Sequence, residues 1–265
     1  MGTRRPVGVG PGDIKNTEVL ELMKILFVGE SWVVHMIHTK GYDSFTSTKY
    51  EEGATYLLSC LRQEGIDVTY MPAHEVQVRF PQSLEELKTY DAIVLSDVGA
   101  NTFLLQNPTF YQMQIIPNAL ELVKQYVAEG GGLLMVGGYL TFMGIEGKAN
   151  YRNTILADVL PVVMMDKDDR VEMPSGFSPV VSQPHPLVND LGEWPRLLGY
   201  NKLSAKPGAK ELLSHEGDAI LTLGTYGQGK TAAFASDCSP HWGSLEFMNW
   251  EHYSAFWSKL IKYLK

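Results

Sequence analysis

The chain has 265 residues, 45% of them apolar, and a formal net charge of −8, which suffices for a core in one large α/β domain. No long acidic run and no basic stripe interleaved with aromatics occurs, which argues against nucleic acid and anionic membrane surfaces as partners. No apolar stretch approaches the roughly 20 residues of a membrane span, residues 1–22 lack the apolar core of a secretion signal, and two cysteines fit a reducing compartment, so the expected location is the cytoplasm.

Residues 1–22, with Arg4-Arg5-Pro6-Val7-Gly8-Val9-Gly10-Pro11-Gly12, show no periodicity and read as a flexible extension before a working start at Met23. The remainder, 23–265, reads as a single domain. Lys24-Ile25-Leu26-Phe27-Val28-Gly29 is a continuous apolar run ending in glycine, as expected of a strand covered on both faces. After it, His35 and His38 stand three residues apart and read as a helix turn or a polar loop. Gly41 to Thr46 reads as loop with rim aromatics.

Ala54, Leu57, Leu58 and Leu61 recur at helical spacing, with Cys60 as a small buried hydrophobe, and Gly65 stops that helix before a second strand, Ile66 to Tyr70. A short acidic helix near Leu84–Leu87 precedes a third strand, Asp91 to Asp97. Pro117 suits a first helical position, and Leu120, Val123 and Val127 share a face. That helix leads through Gly130-Gly131-Gly132 into a fourth strand, Leu133-Leu134-Met135-Val136, which leaves through Gly137-Gly138-Tyr139. Alternation of strands and helices at this spacing implies a three-layer α/β fold around a doubly wound, mainly parallel, flavodoxin-like sheet.

Between 140 and 217 the pattern loosens into a short helix near Ile155–Leu160, a strand-like Arg170 to Met173 and proline-rich loops, an expected insertion on the functional edge. Ala219–Leu223 and Thr231–Ala235 form a late β-hairpin, and Trp250, Tyr253, Trp257, Leu260, Ile261 and Leu264 stripe a closing helix. Gly224-Thr225-Tyr226-Gly227-Gln228-Gly229-Lys230-Thr231 matches the phosphate-loop pattern letter for letter. That pattern works only where a helix starts at its Lys-Thr end, and here a strand follows, so the glycines read as a hairpin turn.

The densest chemistry is Ser236-Asp237-Cys238-Ser239-Pro240-His241-Trp242-Gly243. A carboxylate, a thiol and an imidazole at one strand exit suit acid–base or nucleophilic work. The bland alternative is that Asp237 and Ser239 cap a turn, Cys238 is buried and His241 bonds locally. Glu30-Ser31-Trp32 and Asp97 leave neighbouring strands, so the catalytic candidates are His241, Glu30, Asp97 and Cys238. The substrate-binding candidates are Tyr139, Gly138, Ser31, Trp32, Asp237 and Trp242. His-x-x-His at His35 and His38 is a weak half of a metal site. No cofactor motif is identified, and none is expected.

The order of elements, the glycine-led fourth strand, the Gly-Gln-Gly-Lys turn and the terminal Asp-Cys-Ser-Pro-His-Trp-Gly, with Trp250, Tyr253 and Phe256-Trp257 after it, resemble the class I glutamine amidotransferase-like superfamily. The resemblance is strongest to the branch related to trehalose-utilisation-type proteins. It implies a catalytic cysteine at the fourth-strand elbow, in a Gly-x-Cys-x-Gly pattern, with a late histidine and an acidic residue. Tyr139, or Gly138, falls at that elbow, and neither is a cysteine. His241 falls at the late histidine, where the family's His-x-Glu reads His241-Trp242-Gly243. A phenol with a reference pKa near ~10 is a poor nucleophile toward an amide. Three functions follow: a small-molecule-binding or regulatory domain without glutaminase activity; a divergent hydrolase or transferase using His241 with nearby carboxylates; or a metal-assisted hydrolase using His35, His38 and His241. A homo-oligomer is the default assembly.

Overall fold

The computed structural model describes Gly2 and residues 22–265; the rest of the expected 1–22 extension lies outside the described residues. The elements run β1 (Lys24–Gly29), β2 (Ser31–Lys40), β3 (Asp43–Glu52), α1 (Thr55–Gln63), β4 (Asp67–Met71), α2 (Val76–Arg79), α3 (Leu84–Leu87), β5 (Ala92–Ser96), α4 (Ala100–Leu104), α5 (Asn107–Gln112), α6 (Ala119–Ala128) and β6 (Gly132–Val136). The second half adds α7 (Leu156–Val159), β7 (Val162–Met164), β8 (Arg170–Phe177), β9 (Val180–Val181), β10 (Leu197–Asn201), β11 (Leu203–Ala205), β12 (Lys210–His215), β13 (Asp218–Tyr226), β14 (Gly229–Phe234), α8 (Leu245–Met248) and α9 (Tyr253–Tyr263).

Eight strands form one mixed sheet in the order β4-β1-β5-β6-β14-β13-β12-β9. β4, β1, β5, β6 and β14 are mutually parallel, and β13, β12 and β9 continue the sheet by antiparallel pairing. The parallel strands are apolar along their length because both faces are covered: Ile25, Leu26, Phe27 and Val28 in β1, and Leu133, Leu134, Met135 and Val136 in β6, have no exposed surface. From β1 the chain crosses to β4 on one side, and later connections cross to β5 and β6 on the other. Right-handed crossovers in opposite directions put their helices on opposite faces. α1 packs with α9, and α6 packs with α3 and α7. Each helix buries one stripe, such as Leu120, Val123, Tyr126 and Val127 in α6 or Phe256, Trp257, Leu260 and Ile261 in α9. Full burial of a large side chain of this kind stabilises by about 1.5–3 kcal/mol.

The strand order reverses beside β1, between β4 and β5. Crevices form at such a point, outside the carboxyl ends of the strands. Gly29 pairs in register with Ser96, Ser96 with Val136, and Val136 with Phe234. Four neighbouring strands therefore end level, and Glu30, Asp97, Tyr139 and Asp237 follow those ends within one to three residues.

The segment after β1 differs from expectation. Residues 31–52 form two ten-residue antiparallel strands, β2 and β3, joined at Gly41-Tyr42. His35 and His38 therefore sit on a strand and not on a helix turn, and Gly41 to Thr46 is mostly strand. Alternation in Val34, Met36 and His38, each partly buried between exposed neighbours, is the period of two that marks a strand. α6 starts later than Pro117 suggests, because the Asn118 side chain accepts from the Leu120 N–H and caps it. Thr231 lies inside β14, so no helix follows Lys230.

Candidate active site

Glu30 is fully buried directly beyond β1, with φ of 51°. Its two carboxyl oxygens accept from the hydroxyls of Ser96 and Ser239, each at 2.5 Å. Its backbone N–H donates to the Ser96 carbonyl at 2.8 Å. Burial, and after it the charge of Asp97, raises its pKa to about 7. The close fit needs Gly53, where a Cβ would lie 2.7 Å from Glu30 Oε1.

Asp97, beyond β5, has φ of 44°. Its Oδ1 accepts from the Leu140 N–H at 2.7 Å, which ties the exits of β5 and β6 together. Burial raises its pKa, and the Leu140 N–H and His241 oppose that rise. Gly138 permits the approach, since a Cβ there would lie 2.9 Å from the same Oδ1.

Asp237, beyond β14, is 2% exposed. Its Oδ1 accepts from the Ser239 N–H at 2.9 Å and meets the Ser239 hydroxyl at 3.1 Å. Its Oδ2 lies 3.9 Å from Nδ1 of His241. Burial, then the charges of Glu30 and Asp97, raise its pKa well above the usual carboxylate range. Ser239 has one hydroxyl hydrogen and two carboxyl neighbours. When it donates to Glu30, the contact with Asp237 is a hydrogen bond only if Asp237 carries a proton. Ser239 thus links a pocket carboxyl to a buried one.

His241 is half-exposed at the mouth, with φ of 128°, and its ring centre lies 4.9 Å from that of Trp32. Trp32 is itself fixed by donation from its indole to Glu51 at 2.8 Å. Eight described non-glycine residues have positive φ, and Glu30, Asp97 and His241 are three of them. Backbone strain of this kind, costing about 1–3 kcal/mol per residue, concentrates at functional sites.

Trp32, Asp97, Tyr139, Asp237 and His241 line one pocket of about 260 Å³. The Tyr139 phenol donates to Glu172 on β8 at 2.9 Å, and the Arg170 guanidinium sits 5.0 Å from its ring centre. Burial, with the Glu172 carboxylate next, raises the phenol's pKa. Trp242 stands behind, 2% exposed, and donates its indole N–H to the other oxygen of Glu172 at 3.0 Å.

The sequence candidates divide accordingly. Asp97, Asp237, His241, Trp32 and Tyr139 converge on the pocket, and Glu30 lies beneath it. Trp242 and Gly138 support it from behind. Ser31 faces away, with its hydroxyl accepting from the Ala73 N–H at 2.8 Å. Cys238 has no exposed surface, and burial followed by the charges of Glu30 and Asp237 pushes its thiol well up; a thiolate nucleophile is disfavoured there. Ser96, Gly53 and Glu172 were not singled out by sequence reading. The only signal for Ser96 was a hydroxyl beside Asp97 at a strand end.

His35 and His38 do not make half a metal site. Three residues apart on a strand, they point to opposite faces. His35 bonds Thr48 at 3.0 Å, and His38 bonds Ser47 at 3.0 Å and stacks on Phe45. Among the described residues, ligand atoms of Glu30, Asp237 and Cys238 alone come within 4.8 Å of one another in a group of three. These fit a cation poorly, because serine hydroxyls occupy both Glu30 oxygens and burial favours the protonated carboxyls and thiol.

A family model described as "Putative glutamine amidotransferase" matches residues 24–265. A solved cytoplasmic protein from Salmonella typhimurium is 59% identical, with a TM-score of 0.90 over 91% of this chain and 99% of its own. Another, from Salmonella typhimurium LT2, is 64% identical, with a TM-score of 0.90 over 92% of this chain and 100% of its own. A "Putative thua-like protein" from Bacteroides uniformis is 12% identical, with a TM-score of 0.49 over 86% of this chain and 89% of its own. No curated protein matches the sequence. No helix among the described residues is long and apolar enough to cross a membrane.

Proposed function

The chain belongs to the glutamine amidotransferase-like family, and from that premise we propose that it is a divergent hydrolase or transferase acting on a small molecule by carboxyl and imidazole acid–base chemistry. One observation carries this reading: two desolvated carboxyls, Asp97 and Asp237, meet His241 at one pocket beyond the topological switch point, with a third, Glu30, beneath them. Burial that raises a carboxyl's pKa suits it to proton donation, and carboxyl and imidazole groups are common partners in general acid–base catalysis. Asp237 and Asp97 face the ligand, and Glu30 exchanges protons with Asp237 through Ser239. Trp32 and Tyr139 form the walls. Glutamine hydrolysis is absent on this reading, because Tyr139 occupies the elbow and Cys238 is buried. Residues 140–217 form the rim and set specificity, on a flavodoxin-like core closed by the β13–β14 hairpin. The protein works in the cytoplasm without a cofactor.

A regulatory binding domain is the second reading, favoured by the tie between Tyr139 and Glu172 that leaves one wall chemically occupied. One assay tests the loss of glutaminase chemistry and a second separates the two readings. Ammonia release from L-glutamine is expected at background, and turnover would overturn the proposed loss of glutaminase chemistry. A panel of p-nitrophenyl esters, glycosides and phosphates is expected to reveal hydrolysis that Asp237→Asn abolishes. No hydrolysis across the panel, or hydrolysis indifferent to Asp237→Asn, would favour the binding domain.

A further inference from the structure

The neutral hydrogen-bond donors around the pocket are spent elsewhere. The Trp32 indole donates to Glu51 at 2.8 Å, and the Tyr139 phenol and Trp242 indole donate to Glu172 at 2.9 and 3.0 Å. On the backbone, the Gly138 N–H goes to Oδ1 of Asn201 at 3.0 Å, the Leu140 N–H to Asp97 and the Ser239 N–H to Asp237. Of the ring N–H and phenol groups that line the cavity, only the His241 ring has no hydrogen-bond partner among the described residues.

Acceptors face the space instead. Asp237 is 2% exposed, and Ser239 holds its Oδ1. Its Oδ2 accepts no hydrogen bond from the described residues, since Nδ1 of His241, at 3.9 Å, is too far to give one. An oxygen so buried and unpaired requires a donor from the ligand. Asp97 lines the same cavity, with its Oδ1 on Leu140.

Charge narrows the donor. No lysine or arginine lines the cavity, and Arg170, beside Tyr139, is already paired with Asp168 at 2.8 Å and lies 3.8 Å from Glu172. Glu51, behind Trp32, is paired with Lys49. An anion would therefore meet Asp97 and Asp237, with Glu30 beneath, and no free cation. A hydroxyl would bring lone pairs that find few donors. An ammonium has three donors and no acceptor. It gains charge-assisted hydrogen bonds from carboxyl oxygens and attraction from an aromatic face, strongest for an indole. The Tyr139 ring already takes a cation, the Arg170 guanidinium at 5.0 Å. An ammonium also favours the ionised carboxyls, opposing the burial that raises the pKa values of Asp97 and Asp237.

We propose that this pocket takes a small organic cation whose primary ammonium sits on Oδ2 of Asp237 beside Asp97, with its body against Trp32. The inference rests on the proposed reading of this pocket as the ligand site and names the group that the site takes. A cavity of about 260 Å³ keeps the body small.

Calorimetric titration of the full chain at about pH 7.5, where an aliphatic amine is charged, compares benzylammonium, benzyl alcohol and benzoate. Benzylammonium is expected to bind at least about tenfold more tightly than benzyl alcohol, and benzoate not at all. Asp237→Asn is expected to remove that preference. Trp32→Leu, which leaves the carboxyls in place, is expected to weaken benzylammonium binding about tenfold. Equal affinity for the alcohol, preference for benzoate, or no binding of benzylammonium would overturn the proposal. So would a preference retained in folded Asp237→Asn, or unchanged binding in Trp32→Leu. Hydrolysis in the p-nitrophenyl panel without binding or inhibition by benzylammonium would remove the ammonium and leave the acid–base reading. Binding of benzylammonium without hydrolysis would keep the ammonium and favour the binding domain.

Discussion

Four neighbouring strand ends face the same crevice, and they divide into two kinds. The exits of β1, β5 and β14 place Glu30, Asp97 and Asp237 within one electrostatic cluster, two of them on left-handed backbone. The exit of β6 passes through Gly137 and Gly138 without positive φ and presents a phenol bonded outward to Glu172. In the resembled family the β6 exit holds the nucleophile. Here the positive-φ turns and the desolvated acids lie beside it, and on the proposed reading one scaffold edge keeps its crevice while its reactive groups move to adjacent strands.

The largest test of this contrast is paired substitution. If the panel reveals a substrate, Asp237→Asn and His241→Ala are each expected to lower kcat/KM at least about 100-fold, the usual scale for a lost general acid or base. Tyr139→Phe is expected to change it by no more than about threefold. A reversed order would return the chemistry to the β6 exit.

Stability against pH sharpens the same contrast. Glu30 has a raised pKa, so between its unfolded value near 4.5 and about 7 the folded state binds more protons than the unfolded state. Its contribution is therefore full below pH 4.5 and lost as pH rises through 7. Asp97 and Asp237 are shifted in the same direction. Wild-type melting temperature is expected to fall from pH 5 to pH 8 by roughly 5 °C, equivalent to about 2 kcal/mol. Glu30→Gln is expected to flatten that slope, and an unchanged slope would show that the buried acid does not titrate there.

Smaller still is the expected response of Cys238. In the folded protein iodoacetamide is expected to leave it unmodified, and Cys238→Ala to leave kcat/KM within about threefold. Rapid native alkylation with loss of activity would make it a nucleophile after all.

Much of the fold was legible because β1, β5 and β6 are short apolar runs with glycine at or near an end, and α6 and α9 carry clear stripes. The β2–β3 hairpin was not, since β2 alternates only partly buried with exposed residues and its histidines three apart mimic a helical spacing. At the site, Asp97 could be named because it follows β5 directly, and Asp237 and His241 because they share the polar segment that leaves β14. Gly53, Ser96 and Glu172 could not, because they reach the cluster through close approach and long-range pairing. The three-residue separation of His35 and His38 suggested a metal half-site only under a helical reading, and strand geometry removes it.

The central claim is that a buried carboxyl beneath the pocket holds its proton near neutrality. Titration of the carboxyl carbons by ¹³C NMR, assigned with Glu30→Gln, tests it directly. The expected result is a carboxyl resonance titrating near pH 7 that Glu30→Gln removes; titration of every carboxyl below pH 5 would contradict the account.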